Sequence, residues 1–390
     1  MQGFVTFVLI LAFLSPCLCT MLNVRTTNGI YNVMQYGARG DGKSDDSKVH
    51  AFFSAWSSAC KAVGTSTLVI PGKIFMASKI HFSGPCSAKI LIQLKGKIVA
   101  PSKAAWRGGS EWINVEYVNG LTIDGNGEGS VLGDGPTWWQ CPRCSRPTML
   151  HFHSCNDLNV RNLRILNSPR SHVSVNMCNH ATFSYISISS PATSPNTDGF
   201  DISHSNNILI QDSNIKSGDD CIAVNGGSTF INATRVTCGP GHGISVGSLG
   251  GNGANDQVSD VHVRNCTFIG TQNGARIKTV PGGSGYARKI TFEHIVLVNV
   301  MNPIIIDQAY TLSTLDTAVS VRDVTYRGFT GTSYSDIAID LKCSSSGCFK
   351  ILLDQNNIVS AQPGKKTSSF CRNAHGIVRN TIPIVPCLSN

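Results

Sequence analysis

Aromatic residues make up only 7% of this 390-residue chain, and charged residues only 14%. With 41% of its residues hydrophobic, the chain is too apolar and too weakly charged for intrinsic disorder. Acids are the scarcer sign: 23 Asp and Glu stand against 32 Lys and Arg, a formal net charge of +9. The surplus favours anionic partners, whether nucleic acid, acidic lipid or acidic polysaccharide, without choosing among them. Proline stops at 16 residues, which excludes a collagen-like repeat despite 38 glycines. A coiled coil and a membrane bundle are excluded with it, since nothing after the N-terminus resembles a transmembrane helix.

The one long apolar run is Phe4 to Leu14, broken only by Thr6 and too short to span a bilayer. Pro16 and the small-x-small pattern Cys17-Leu18-Cys19 follow it, and no Lys or Arg precedes Arg25. This reads as a secretory signal peptide over residues 1–20, cleaved near Cys19 or Thr20. Fifteen cysteines, two of them in that segment, also suit a secreted protein. Cys60/Cys86, Cys221/Cys238, Cys343/Cys348 and Cys371/Cys387 are plausible disulfides, and the odd remainder leaves at least one thiol unpaired. Cys141-Pro-Arg-Cys144 has metal-like spacing, but no second such pair or His cluster completes a zinc site. Asn232-Ala-Thr and Asn265-Cys-Thr are possible glycosylation sites in a secreted chain.

From about residue 158 a short pattern of apolar positions recurs. It begins at Leu158/Val160/Leu163/Ile165, Ala181/Phe183/Ile186/Ile188 and Ile208/Ile210/Ser213/Ile215. Thr229/Ile231/Thr234/Val236, Val261/Val263/Cys266/Phe268, Ile290/Phe292/Ile295/Leu297, Val319/Val321/Val324/Tyr326 and Ile351/Leu353/Asn356/Ile358 continue it. Alternation of period two marks strands, and the Asn, Ser or Gly after each set marks turns. Short strands repeating every 21 to 32 residues predict an all-β parallel β-helix, in which stacked coils bury what one coil cannot. A single such domain over 21–390 is expected. Cys266 sits at an inward position and is the expected spare thiol. Upstream, Tyr31 to Tyr36 reads as a strand. Val49, Phe52, Phe53, Trp56 and Ala59 fall at helical spacing behind Asp45 or Asp46 as N-cap, and this helix would plug the open end of the solenoid.

Two motifs are set aside. Gly37-Ala-Arg-Gly-Asp-Gly-Lys43-Ser44 satisfies the P-loop pattern, yet Asp41, Asp45 and Asp46 place carboxylates where phosphate would lie. Arg39-Gly40-Asp41 spells an adhesion tripeptide that a Gly-rich turn produces by chance.

Between the coils lies a denser polar set: Asn196-Thr-Asp198, Gly218-Asp219-Asp220, Gly241-His242-Gly243 and Arg276-Ile-Lys278. Asp198 to Asp219 is 21 residues and Asp220 to His242 is 22, each about one coil. Residues one coil apart stack at about 4.8 Å, so these groups should gather on one face. Arg276 and Lys278 share the outer side of a strand while Ile277 points inward. Presenting both Asp219 and Asp220 needs a bulge or turn, which Gly218 permits. Alone, Asn196 reads as a turn cap and each Asp or His as a surface group; together at coil spacing they read as a site. Such acids suit hydrolysis of an acidic glycoside, one carboxyl protonated for the leaving oxygen and another ionised to activate water. The two cations would bind substrate carboxylates.

In this order the four motifs resemble the signatures of the polygalacturonases, glycoside hydrolase family 28. The runs Ser194-Pro-Asn-Thr-Asp-Gly, Cys238-Gly-Pro-Gly-His-Gly-Ile-Ser and Asn302-Pro-Ile-Ile-Ile-Asp-Gln are similar to plant members especially. Tyr36-Gly-Ala-Arg-Gly-Asp-Gly resembles the family's opening segment, and the resemblance spans about residues 30 to 387. It implies a right-handed parallel β-helix that cleaves α-1,4 bonds of de-esterified homogalacturonan with inversion and without a metal or other cofactor. By motif, Asp219 would be the general acid and Asp198 and Asp220 would hold the attacking water. His242 would sustain protonation of the acid, and Arg276, Lys278, Tyr310 and Asn196 would bind substrate. Inversion in turn predicts carboxyl groups about 6.5–9.5 Å apart. The expected setting is extracellular, in the cell wall, as a monomer, with pectin and neither nucleic acid nor membrane as partner. Rhamnogalacturonan hydrolysis, calcium-dependent lyase action and inactive wall binding are the alternatives.

Overall fold

The computed structural model of the protein describes residues 29–141, 143–311, 313–315 and 317–388. The signal peptide expected at residues 1–20, with Cys17 and Cys19, lies outside them. Period-two alternation dominates the chain, so nearly every element is a strand, and the strands wind into a right-handed parallel β-helix. An 11-stranded sheet adds its members in strict chain order, from Ile80–Ser83 to Ser368–Arg372. A larger sheet forms the rest of the wall.

Two apolar ladders hold the 11-stranded sheet to the core. One runs Ile80, Ile113, Leu150, Val173, Phe200, Ile222, Ile244, Ala275, Ile304, Ile339. The other runs in register two residues further on, from Phe82 through Phe152 and Ile277 to Leu341, and both are buried throughout. The residue between each pair must then face out. That outward column reads His81, Asn114, His151, Ser174, Asp201, Ala223, Ser245, Arg276, Ile305, Asp340. It is the floor on which the polar constellation stands.

The repeats are real, but two of the eight were expected out of phase. Ile208 pairs with Ile231 and Ser213 with Val236, so that coil begins at Ile231 rather than Thr229. Ile290 pairs with Val324 and Ile295 with Phe329, so Val324, not Val319, opens the next. The strands concerned, Thr229–Cys238 and Ser320–Ser333, are long, and unbroken alternation carries no mark of where a coil starts.

The N-terminal plug forms as Ala51–Lys61, burying Ala51, Phe52, Ala55, Trp56 and Ala59. Trp56 stacks on Phe82 at 4.7 Å. Val49 and Phe53, expected inward, are 48% and 60% exposed. Neither Asp45 nor Asp46 caps this helix; His50 stands at the N-cap without a side-chain bond. Asp45 instead accepts from Ser47 and Ser78, and Asp46 from the Arg39 and Gly40 N–H groups. The strand expected over Tyr31–Tyr36 is Gly29–Asn32, after which Asn32 and Gln35 form a capping box on the 3-10 turn Val33–Tyr36. In the P-loop look-alike, the Lys43 and Ser44 N–H groups donate to Asp41 at 2.8 and 2.7 Å. A carboxylate of the chain itself takes the donors a phosphate would need.

All four expected disulfides form, and Cys141–Cys144 is a fifth rather than a metal pair. Cys266 is a buried free thiol, as are Cys155 and Cys178. Among the described residues no helix is long and apolar enough to cross a membrane.

Candidate active site

Strands Phe200–Ser203, Ile222–Val224 and Ile244–Leu249 follow one another in the floor. Asp198, Asp220 and His242 each stand two residues before the ladder residue of their coil, Phe200, Ile222 and Ile244. These three therefore stack, and Asp219 sits one position off the column, not above Asp198 as its spacing suggested. A bend at Gly218 makes room: a Cβ there would lie 1.9 Å from the Ser194 carbonyl oxygen. Thr197 Oγ1 accepts the Gly218 N–H at 2.9 Å and ties the two acidic turns together.

Each acid has a different environment. Asp220 is buried, with Arg276 Nη2 at 2.6 Å on Oδ1 and Lys278 Nζ at 2.8 Å on Oδ2. Ser245 Oγ donates to Asp220 Oδ1 at 2.8 Å and accepts Arg276 Nε at 2.8 Å. Asp219 Oδ1 meets His242 Nδ1 at 2.9 Å and accepts the Asp220 N–H at 2.8 Å. Burial pushes the Asp219 carboxyl up. The His242 bond and charge, with Lys278 and the Asp220 N–H, outweigh it and hold the group below its ordinary value. Asp198 goes the other way. Burial first, then the charges of Asp219, Asp220 and Asp201, drive its pKa well above the carboxylate range.

Behind Asp198 lies His172, whose pKa burial lowers to about 4, so it is neutral. Its Nδ1–H donates to the Asp198 carbonyl at 2.9 Å and its Nε2 accepts from Ser190 at 2.8 Å. Tyr310 lies over the cations, its ring centroid 5.0 Å from Lys278 Nζ and 5.8 Å from Arg276 Cζ. Asn196 is in a left-handed turn, φ 53°, with its Oδ1 accepting Arg146 Nη2 at 2.6 Å. The structure thus joins Asp219, Asp220, His242, Arg276, Lys278 and Tyr310 through direct contacts into one site, with Asp198 one coil from Asp220 and Asn196 two residues before Asp198. A cavity of about 360 Å³ beside His242 extends it over Gln272, Met301 and Tyr334.

Sequence reasoning missed three residues here. Asp201, held by Asn225 Nδ2 at 2.6 Å, has its pKa raised by burial, against a lowering pull from Arg170. It faces out three residues after Asp198, so alternation could have found it. Ser245 lies one coil before Arg276 in register and could have been found once coil phase was known. Arg146 could not: it reaches in from a loop 50 residues before Asn196. Asp219, Asp220 and His242 are also, among the described residues, the one group whose ligand atoms are close enough for a metal ion, within 4.8 Å. Arg276, Lys278 and Ser245 already engage Asp220, and two cations beside it oppose a third.

Clustered acids with cations on a parallel β-helix define a carbohydrate-cleaving class of site. The family model described as "Glycosyl hydrolases family 28" matches residues 60–382, and the chain belongs to that family. It is a glycoside hydrolase. A probable polygalacturonase of Arabidopsis thaliana is 44% identical over 94% of this chain and 82% of its own length. A polygalacturonase of Persea americana is 41% identical over 89% of this chain and 78% of its own. Among solved structures, the endo-xylogalacturonan hydrolase of Aspergillus tubingensis superposes with a TM-score of 0.81 at 26% identity, over 90% of this chain and 99% of that one.

Proposed function

We propose that this hydrolase cleaves α-1,4-galacturonosyl bonds of de-esterified homogalacturonan, with inversion and without a metal, as a secreted monomer of the cell wall. The observation that carries the reading is one groove holding Asp198, Asp219 and Asp220 together with Arg276 and Lys278. Relatives named as polygalacturonases support the substrate. Arg276 and Lys278 are paired to Asp220 in the free groove, so a galacturonate carboxylate would share or take over those donors. Tyr310 would pack on a sugar ring beside them, and Asn196, steadied by Arg146, would line the far wall.

In the proposed mechanism Asp219 protonates the leaving oxygen while Asp198 and Asp220 direct water to the anomeric carbon from the opposite side. His242 stands against Asp219 as the group that exchanges protons with it. Substrate carboxylates bring negative charge and exclude water, and both raise the Asp219 pKa from its depressed free-state value. A second reading has one specific feature in its favour: in the free groove burial and neighbouring charge raise the Asp198 pKa while the His242 contact lowers that of Asp219, so Asp198 would be the acid and ionised Asp219 the base.

One experiment separates the two. On polygalacturonic acid, Asp219→Asn and Asp198→Asn should each lose at least about a hundred-fold in kcat, the worth of general acid–base catalysis. On an oligogalacturonide carrying an activated aryl leaving group, only the variant lacking the acid should recover, because that leaving group needs no proton. Recovery by Asp198→Asn instead of Asp219→Asn would transfer the acid role. Reducing ends without ultraviolet-absorbing unsaturated products, at a rate unchanged by chelator, separate hydrolysis from calcium-dependent elimination. Proton NMR of the first-formed anomer tests inversion.

A further inference from the structure

We infer that Arg170 is a second receptor for the carboxylates of an acidic sugar chain, on the opposite side of the cleavage point from Arg276 and Lys278. The inference rests on the galacturonan reading above and extends it to a subsite that none of the four motifs contains.

Arg170 is exposed in the turn before strand Val173–Asn176. That strand precedes Phe200–Ser203, Ile222–Val224, Ile244–Leu249 and Asn273–Thr279 in the groove floor. The catalytic acids thus lie between Arg170 and Lys278 along the solenoid axis. Four strand spacings separate the two arms, on the order of 19 Å, enough for several sugar rings. Asp201, one strand from the Arg170 turn and three from Lys278, feels the positive charge of both.

The turn is built to hold its place. Trp139 Nε1 donates to the Ser168 carbonyl at 3.1 Å, and Ser168 Oγ to the Ser171 carbonyl at 3.0 Å. Arg146 Nη1 donates to the Pro169 carbonyl at 3.2 Å, while the same guanidinium also holds Pro195 and Asn196. His172 N–H donates to the Asp198 carbonyl at 2.8 Å, which fixes the turn directly beside the acid cluster.

Charge is what this turn leaves unresolved. Arg146 spends its donors on neutral oxygens, and the charge of Arg170 bears on it. Among the described residues neither guanidinium forms an ion pair with a carboxylate, although Arg161, Arg235, Arg276, Arg322 and Arg327 all do. The repulsion between Arg170 and Arg146 costs free energy in the empty groove, offset only in part by the Asp201 carboxylate. An anion seated against Arg170 would remove that cost and gain a planar, bidentate contact. In a groove that runs between Arg170 and Lys278, the fitting anion is a carboxylate of the same chain that Lys278 grips.

The test is binding of a de-esterified galacturonate oligomer, followed by calorimetry in an Asp219→Asn background that cannot turn it over. Arg170→Gln should weaken binding about ten-fold, and Arg170→Lys should recover part of the loss. Arg164→Gln, which removes the same charge from the outer wall, should leave the affinity unchanged. The fully methyl-esterified oligomer should not distinguish Arg170→Gln from its parent. Equal affinities for the Arg170→Gln and Arg164→Gln proteins would overturn the inference, and so would equal losses on both oligomers, which is what a merely structural role would produce. Binding that depends on Arg170 in a wild-type protein that releases no reducing ends would sink the hydrolytic reading and leave Arg170 standing. Absence of binding by the parent would overturn both.

Discussion

Among the described residues Asp198 forms no ion pair, whereas Asp220 forms two. Burial without a paired cation raises the Asp198 pKa, and this has a consequence for stability. A carboxyl whose folded pKa is raised costs nothing below its unfolded value, near pH 4, and costs progressively more as pH climbs toward its folded value. Asn cannot ionise, so Asp198→Asn should raise Tm at pH 7 by roughly 2–4 °C and leave it unchanged at pH 3.5. Differential scanning calorimetry at the two pH values checks this, and an equal shift at both would mean that the Asp198 charge is not what costs stability. Asp219 has the opposite sign: its lowered pKa supplies stability that is present above the unfolded value and lost as pH falls through the folded one. At this scale the acids, His242, Arg276 and Lys278 were readable as residue types at coil spacing. The opposite pKa directions of Asp198 and Asp219 were not, because burial and neighbouring charge set them. Asp219 off the column and Asp198 beneath Asp220 likewise follow from a 22-residue floor step that only paired strands reveal.

Among the elements, the turns before each floor strand do the positioning, and their glycines mark where backbone meets backbone. Gly243 has φ 82°, and a Cβ on it would lie 2.0 Å from the Asn273 carbonyl oxygen. Gly218 has no left-handed requirement but the same crowding against Ser194. Gly218→Ala should therefore cost about 2 kcal/mol of stability, the usual range for overpacking. It should also displace Asp219 from His242, so kcat falls more than KM rises. Urea unfolding and steady-state kinetics on the same preparation measure both, and a variant of normal stability and turnover would contradict the crowding argument. Strand alternation made the wall legible from Leu158 to Ile358, with errors only where long strands hide the coil boundary. The plug helix was legible in type and, through Phe52, Trp56 and Ala59, in its buried face, but not at Val49 and Phe53, which are exposed. Its expected caps, Asp45 and Asp46, found better partners in Ser47, Ser78 and the Arg39 and Gly40 N–H groups.

For the whole molecule, the +9 balance acts on a polyanion approaching a groove. Association should be steered by that field and weaken with salt, with a Debye length of about 10 Å at 0.1 M. KM for polygalacturonic acid should therefore rise between 0.05 and 0.5 M NaCl, by about ten-fold or less, while kcat moves little because Asp219 and Asp220 interact at hydrogen-bond distance. Initial rates across that series test it, and a KM independent of salt would confine the charge to roles outside the groove. Among the described residues, five disulfides and one continuous apolar core make the scaffold that carries this field.

Alternation and repeat length, both local properties of the chain, were enough to determine the coil, its stacking and the face on which the motif residues emerge. Four motifs in order were enough for the family. Phase between coils, the raised pKa of Asp198, the Arg276–Asp220–Lys278 pairing and the reach of Arg146 were decided only by tertiary structure. Each depends on residues 20 to 60 positions apart meeting across strand spacings of about 4.8 Å, where desolvation and unpaired charge fix energies that no single segment contains.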